Sequence, residues 1–504
     1  MNVASVLDGH ADDVVALISR NRETTYGDLR DQVARLRGGL AGLGIGSGDR
    51  VAILCGNNRY FVVSYFAIVG LGAVAVPLNP ASPGPELQKE LAVVEPVAVV
   101  VGPAARACWA AVDRATLPTI RTVIQAEGDP DDGDRGDGVE LSELLRAEPM
   151  PVVDVEPDHL AALLFTSGTA GPPRAAMLSH RNLLSNIEQD LTTLDHTRAG
   201  DVVYGVLPLF HIFGLNVVLG VSMRVGATLL LVQRFDPATA VQSIVQRGVT
   251  VVPGAPPMWI AFSHFDELPA ESFASVRLAL SGASRLSPVV AERFRERFGV
   301  EIWEGYGLTE ASPVVTSSSG IGSRPGSVGK VLGGIELRLV GDSGEDVPVG
   351  DAGEVWVKGD NVFLGYWNDP DATERVLRDG WLRTGDIAVA DEDGYLYLVD
   401  RAKDLIIVSG FNVFPAEVES VLLTHPDVVE AGVLGVPHPH HGEAVKAYVV
   451  AARGSHLDED ALIDYSMDYL ARYKCPTKVI FVDALPRNAA GKLIRRELEG
   501  TVLA

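Results

Sequence analysis

Apolar residues near the start of the chain recur at helical spacing: Leu29, Val33, Leu36, Leu40 and Leu43 form one stripe, with Thr25 placed to cap the first turn and Gly44 to stop the last. The apolar run Val51 to Leu54 follows, so the pair predicts a helix-to-strand unit. The same alternation predicts strands over Ala98–Val101 and Val249–Val252 and an amphipathic helix over Pro288–Phe298 ahead of Ile302. The stretch Tyr60 to Val76 is apolar throughout, but it is shorter than the ~20 residues of a membrane span and glycines break it. It predicts a buried helix running into a strand. These units predict an α/β fold: a large N-terminal domain of layered mixed sheets with helices. Past Gly350 the pattern shifts to short alternating stretches, EVWVKG, YLYLVD and LIIVSG, and then to a helix-rich end. That shift predicts a boundary near 401–404 and a small α+β C-terminal domain.

Length agrees, since 504 residues exceed what one hydrophobic core usually serves. Charge narrows the function. At a formal −24 the chain is a poor partner for nucleic acid or anionic lipid, which are read by basic patches. An anionic substrate such as ATP would need a local cluster of backbone N–H groups, a cation and a metal ion. Cys55, Cys108 and Cys475 form no CxxC pair, which predicts neither a disulfide framework nor a cysteine zinc site. The acidic start MNVASVLDGHADDVV lacks the basic, then apolar pattern of a secretory signal, so the expected location is the cytoplasm. The acidic segment EGDPDDGDRGDG over 127–138 lacks the ligand pattern of a calcium loop and reads as surface.

Two stretches carry candidate chemistry. In LLFTSGTAGPPRAAM an apolar strand opens into Thr166, Ser167, Gly168, Thr169, Ala170 and Gly171, followed by Arg174. Small residues there leave N–H groups and hydroxyls open to outer phosphates, although a plain turn between strand and helix accounts equally well for this stretch alone. It is not a Walker A loop, because no GxxxxGK[ST] occurs. In GYGLTEASP, Gly305, Tyr306, Gly307, Thr309 and Glu310 place an aromatic, a hydroxyl and a carboxylate in one turn. Tyr306 would stack on a purine, Thr309 would bond the α-phosphate, and Glu310 would hold magnesium, which takes one or two carboxylates plus phosphate oxygens.

With Tyr366 and WLRTGD at 381–386, the order of these stretches resembles the adenylate-forming superfamily of acyl-CoA synthetases, luciferases and peptide-synthetase adenylation domains. The resemblance spans essentially the whole chain, through YGDL, LGAVAVPLN, LPLFHIFGL, SGAS, GEVWVKG, GYW, DRAKDLIIVSGFNVFPAEVE and LPRNAAGK. It implies that Asp386 accepts both ribose hydroxyls with support from Arg401, and that Gly282, Ala283 and Ser284 form the adenine side. His211 would line the carboxylate site as an orienting group, and Trp259 in GAPPMW would fall in the acyl pocket. Lys492, on a loop before a basic helix, would bridge carboxylate and α-phosphate, as a positioned ammonium stabilises the charge gathering at phosphorus. The resemblance further implies a mobile lid: domains 1–400 and 404–504, a hinge at 401–403 including Lys403, and a pantetheine channel near Val408–Phe414 with Gly410 giving backbone access. Catalytic residues on this reading are Lys492, Glu310, His211 and Thr166.

The chain departs from the family's TSGTTGxPKG pattern, with Ala170 for a threonine, Arg174 for the lysine and Ala175 for a glycine, which puts turnover rate in doubt. His438, His440 and His441 sit in a loop that family members carry in similar form, so no zinc site is assigned. The expected activity is ATP-dependent: a carboxylic acid becomes acyl-AMP with release of pyrophosphate, and the acyl group passes to coenzyme A, with Mg2+ as cofactor. GFNVFPAEVE and FHIFGLNVVL resemble fatty acyl ligases, so a medium- or long-chain fatty acid is the expected substrate. Alternatives are an acyl-AMP ligase serving a carrier protein, a luciferase-like oxygenase, an aryl or other short acid ligase, and a silent nucleotide- or acyl-binding homologue. A homodimer is the expected assembly.

Overall fold

A computed structural model describes the chain except residues 127–137, 167–172, 266–267, 342, 402–405, 409–410, 439–441, 489–490 and 501–504. The first helix runs Tyr26–Gly42, and the Thr25 hydroxyl accepts from the Asp28 N–H at 3.1 Å, as the pattern predicts. Leu29, Val33, Leu36 and Leu40 are all buried on it. The helix Arg59–Gly70 buries residues on every side and leads into the strand Val74–Pro77. Among the described residues no helix is long and apolar enough to cross a membrane.

Two large sheets build the N-terminal domain. The first has seven strands in the order Val139–Glu140, Thr122–Gln125, Ala98–Val101, Arg50–Leu54, Val74–Pro77, Leu160–Thr166 and Arg174–Ser179. It is parallel until the last pair, which is antiparallel. Its middle strands are buried on both faces, hence their near-continuous Val, Ile and Ala content. The second sheet has nine strands, with Val202–Gly205, Val251–Gly254, Leu278–Ser281 and Ile302–Gly307 parallel at its centre. One predicted strand starts two residues late, at Val251 rather than Val249. Gly248 ends the preceding helix in a left-handed conformation and the Val249 N–H donates to Ile244 O at 3.0 Å, so Val249 closes the helix instead of opening the strand.

A third, antiparallel sheet spans Glu336–Val340 to Leu396–Arg401, and a fourth begins at Ile406–Val408. The fourth belongs to a C-terminal unit whose own core includes Val413, Val418, Leu422, Val433, Ala447 and Leu462. Sequence predicts a helix-rich end. Instead the hairpin Val428–His438 with Gly442–Ala451 dominates, flanked by the helices Pro415–Leu422 and Glu459–Met467. The basic helix expected after Lys492 is a six-residue 3-10 turn, Arg495–Gly500, pinned by Arg495 donating to Glu419 and to Val433 O. The architecture is therefore the expected one: layered mixed sheets with helices, plus a small α+β unit.

Candidate active site

Thr166 is the last residue of its strand, and Arg174 sits opposite it in the antiparallel register. Ser167, Gly168, Thr169, Ala170 and Gly171 lie outside the described residues. The Arg174 Nε donates to Asp369 Oδ2 at 2.9 Å, and its guanidinium lies 5.9 Å from the centre of the Tyr366 ring. Asp369 also caps the helix Pro370–Val376 through the Ala372 N–H, and that hydrogen bond, with Arg174, holds its carboxyl below the ordinary range. A lysine has one ammonium; arginine has a fork of donors, so one residue can anchor on Asp369 and still line the cavity beside Thr166. This gives the Lys-to-Arg departure a local rationale. Ala175 pairs with Phe165 and its carbonyl accepts from the Trp367 N–H, an extended position with no call for glycine.

Tyr366 continues the chain of contacts. Its hydroxyl donates to Glu310 Oε1 at 2.7 Å, and burial, then the adjacent Glu310 carboxylate, raise that hydroxyl well above the usual phenol range. Glu310 is further fixed by its carbonyl, which accepts from the Phe363 N–H. On the other side of the strand Ile302–Gly307, the Tyr306 hydroxyl donates to Asp386 Oδ2 at 2.7 Å, and both residues are buried. Asp386 stands opposite Arg401 in the sheet, and the side chain of Arg401 is outside what can be described.

Two joined cavities meet these groups. One of about 340 Å³ is lined by Thr166, Arg174, His211, Gly282, Thr309 and Glu310; its neighbour of about 330 Å³ takes in Ser284 and Asp386. Ala283, Gly305, Tyr306, Gly307 and Lys492 line both. Ala283 has a φ of +69°, strained for a residue with a side chain, at the turn that ends the strand Leu278–Ser281. A side chain at Gly282 would come within 2.8 Å of the Phe213 ring, so glycine is what admits that ring to the wall.

His211 precedes a π-helical segment, Phe213–Val221, and its carbonyl accepts from the Leu215 N–H. Burial lowers its imidazole to about 4. It is neutral at physiological pH, able to orient a carboxylate by hydrogen bonding and a poor base. Lys492 arrives from the C-terminal unit on a turn built by Asn488, whose N–H donates to Lys492 O at 2.9 Å and whose Oδ1 accepts from the Lys492 N–H at 2.8 Å. Arg487 ties the same turn down, donating to Gly491 O and to Glu430 Oε2.

Trp259 lines neither cavity. It is fully buried against Phe262 and Phe294, and Phe213 and Trp303 line the cavity wall in its place. Lys403, Gly410, His440 and His441 lie outside the described residues. Sequence reasoning passed over Asp369, Asn488 and Glu304. Glu304 precedes Gly305, accepts from the Leu286 N–H at 3.2 Å, and is raised by burial to about 7.

A family model for AMP-binding enzymes matches residues 5–367, and one for the AMP-binding enzyme C-terminal domain matches 417–492. The chain belongs to the AMP-binding enzyme family. It is 33% identical to a long-chain-fatty-acid–CoA ligase of Bacillus subtilis, with 96% of this chain and 91% of the relative covered. It is 38% identical to a feruloyl-CoA synthase of an Amycolatopsis species, with 94% and 93% covered. The crystal structure of ATP-bound MatB from Rhodopseudomonas palustris superposes with a TM-score of 0.90 at 35% identity, over 99% of each chain. By these relationships this AMP-binding enzyme is of the AMP-forming acid–thiol ligase class.

Proposed function

We propose that the enzyme joins a carboxylic acid to coenzyme A in two steps at one site. In the first, a carboxylate oxygen attacks the α-phosphorus of ATP and pyrophosphate leaves, giving acyl-AMP. In the second, the thiolate of coenzyme A attacks the acyl carbon and AMP leaves. The observation that carries this reading is the meeting of Lys492, from the C-terminal unit, with His211, Thr309 and Glu310 of the large domain around one cavity. Lys492 stabilises the charge gathering between carboxylate and α-phosphate. Neutral His211 orients the acid, and Thr166 with the residues 167–171 and Arg174 receives the outer phosphates. Asp386 and Arg401 hold the ribose, and Gly282, Ala283 and Ser284 face the adenine. Gly410 gives coenzyme A access to backbone.

Glu310 suits Mg2+: one carboxylate, steadied by Tyr366 and set among phosphate-binding groups, matches an ion that keeps most of its shell for water and phosphate oxygens. When bound, the ion would neutralise phosphate charge. For the acid, the fatty ligase of Bacillus subtilis supports the medium- or long-chain substrate expected from sequence. An aryl acid is the second reading, favoured by Phe213 and Trp303 in the cavity wall and by the feruloyl-CoA synthase relative. The test is AMP, pyrophosphate and thioester release over acids from acetate through long-chain acids to benzoates and cinnamates. Thioester with one acid class supports the ligase and identifies its substrate. Pyrophosphate without thioester would turn the assignment toward a carrier-protein acceptor.

A further inference from the structure

An acidic side chain with no part in the two steps above lines the cavity that holds His211 and Glu310. Asp190 ends the helix His180–Asp190 and shares the cavity wall with Trp303, Val314 and Ser317. Its position follows from the packing of its neighbours. One turn earlier, Asn186 exchanges hydrogen bonds with Val314, its Nδ2 donating to the carbonyl and its Oδ1 accepting from the N–H. Further on, the Ser319 hydroxyl donates to Asp195 O. The segment 186–195 therefore runs alongside the strand Val314–Ser317, and Asp190, on the same helix face as Asn186, meets its far end. Ser317 pairs with Gly305, and Trp303 lies four residues before Gly307, roughly 13 Å back along the strand from the turn that bears Thr309 and Glu310. Asp190 thus belongs to the end of the cavity away from the phosphate-side groups.

This is a costly place for a carboxylate. The C-terminal end of a helix already presents partial negative charge, and the chain as a whole is acidic. Among the described residues no N–H or hydroxyl donates to the Asp190 carboxyl; its own carbonyl accepts from Thr193, whose carbonyl in turn bonds His196 Nδ1. Burial pushes the carboxyl up to about 6, with His196 opposing that rise. A purely apolar tail would strip the group of water and give nothing in return.

We propose that Asp190 is a specificity-determining residue that receives a hydrogen-bond donor, a hydroxyl or an amine, at the far end of the acid substrate, whose apolar body lies against Phe213 and Trp303. This rests on the acid–CoA ligase reading. The test compares 3-phenylpropanoic acid with its 4-hydroxy and 4-amino forms, and octanoic with 8-hydroxyoctanoic acid, in the wild-type enzyme, Asp190→Leu and the nearly isosteric Asp190→Asn. Pyrophosphate release gives kcat/KM, and calorimetry with AMP present gives acid binding without turnover. Donor-bearing acids are expected to lead their plain partners by about tenfold or more in the wild type, because a site built around a polar group rejects analogues lacking its partner. That ratio is expected to fall by about tenfold in Asp190→Leu, and the hydroxyl and amine arms tell which donor the site takes. Plain acids preferred by the wild type, or a ratio that neither variant moves, would overturn the proposal while thioester formation kept the ligase reading. A donor preference in binding with no pyrophosphate from any acid would do the reverse.

Discussion

Lys492 and His211 line one cavity, and in the proposed mechanism both face the reacting carboxylate but differ in how they can act on it. Lys492 supplies a charge that matters most when phosphorus becomes more negative, so its removal belongs in the rate of the first step. Lys492→Ala is expected to slow pyrophosphate release by roughly 10²- to 10³-fold, the range for losing one preorganised donor. Thioester formation from supplied acyl-AMP should be largely kept; equal loss in both half-reactions would remove the assignment. His211, lowered to about 4 by burial, does not change charge between pH 5 and 8. His211→Asn is accordingly expected to raise KM for the acid by roughly tenfold, the value of about one hydrogen bond, without displacing the pH profile. A profile that shifts in the variant would show that the imidazole titrates during turnover.

The strand Ile302–Gly307 holds the two halves of the site in register, since Tyr306 reaches Asp386 from it and the following turn carries Glu310. Glu304 on this strand makes the element sensitive to pH. Burial raises its folded-state value from 4.5 to about 7, against the opposing Leu286 N–H and Arg285. Folding therefore gains from the protonated form below 4.5, and that gain is lost as pH rises through 7, with an upper limit on the order of 3 kcal/mol. Glu304→Gln, which can still accept from Leu286, should be more stable than the wild type at pH 8 and close to it at pH 5 in urea unfolding. An equal difference at both pH values would refute this. Elements with a clear pattern were legible from sequence: the Tyr26–Gly42 helix and the 98–101 strand follow from their apolar positions, and the Thr25 cap from a hydroxyl placed ahead of the first turn. Glu304, Asp369 and Asn488 were not, because each acts through a partner distant in sequence or through a turn, and nothing in a run such as WEGYG marks which carboxyl will be buried. Trp259 failed for the opposite reason: an aromatic that fits a pocket wall fits a core equally well, and only packing decides.

At the scale of the molecule, the proposed two-step reading has Lys492 withdrawn between the reactions to admit a thiol. The C-terminal unit has its own core, and the loop that carries Lys492 rests on the large domain near Ala255 and Pro257. A side chain at Gly491 would place its Cβ 3.5 Å from the Ala255 Cβ, within the Cβ separation a disulfide spans. The pair Ala255→Cys and Gly491→Cys, in a Cys108→Ser background, can therefore lock the two units together; Cys55 and Cys475 are buried and should not interfere. Gly491 has a φ of +81°, so Gly491→Cys alone is the control for strain, about 1–2 kcal/mol. If the unit must rotate between steps, the oxidised double variant should still release pyrophosphate in a first turnover, while thioester formation falls by roughly tenfold or more and returns on reduction. Thioester formed by the oxidised enzyme at the reduced enzyme's rate would mean that coenzyme A reaches the acyl-AMP with Lys492 in place, and the two steps would then share one arrangement of the units.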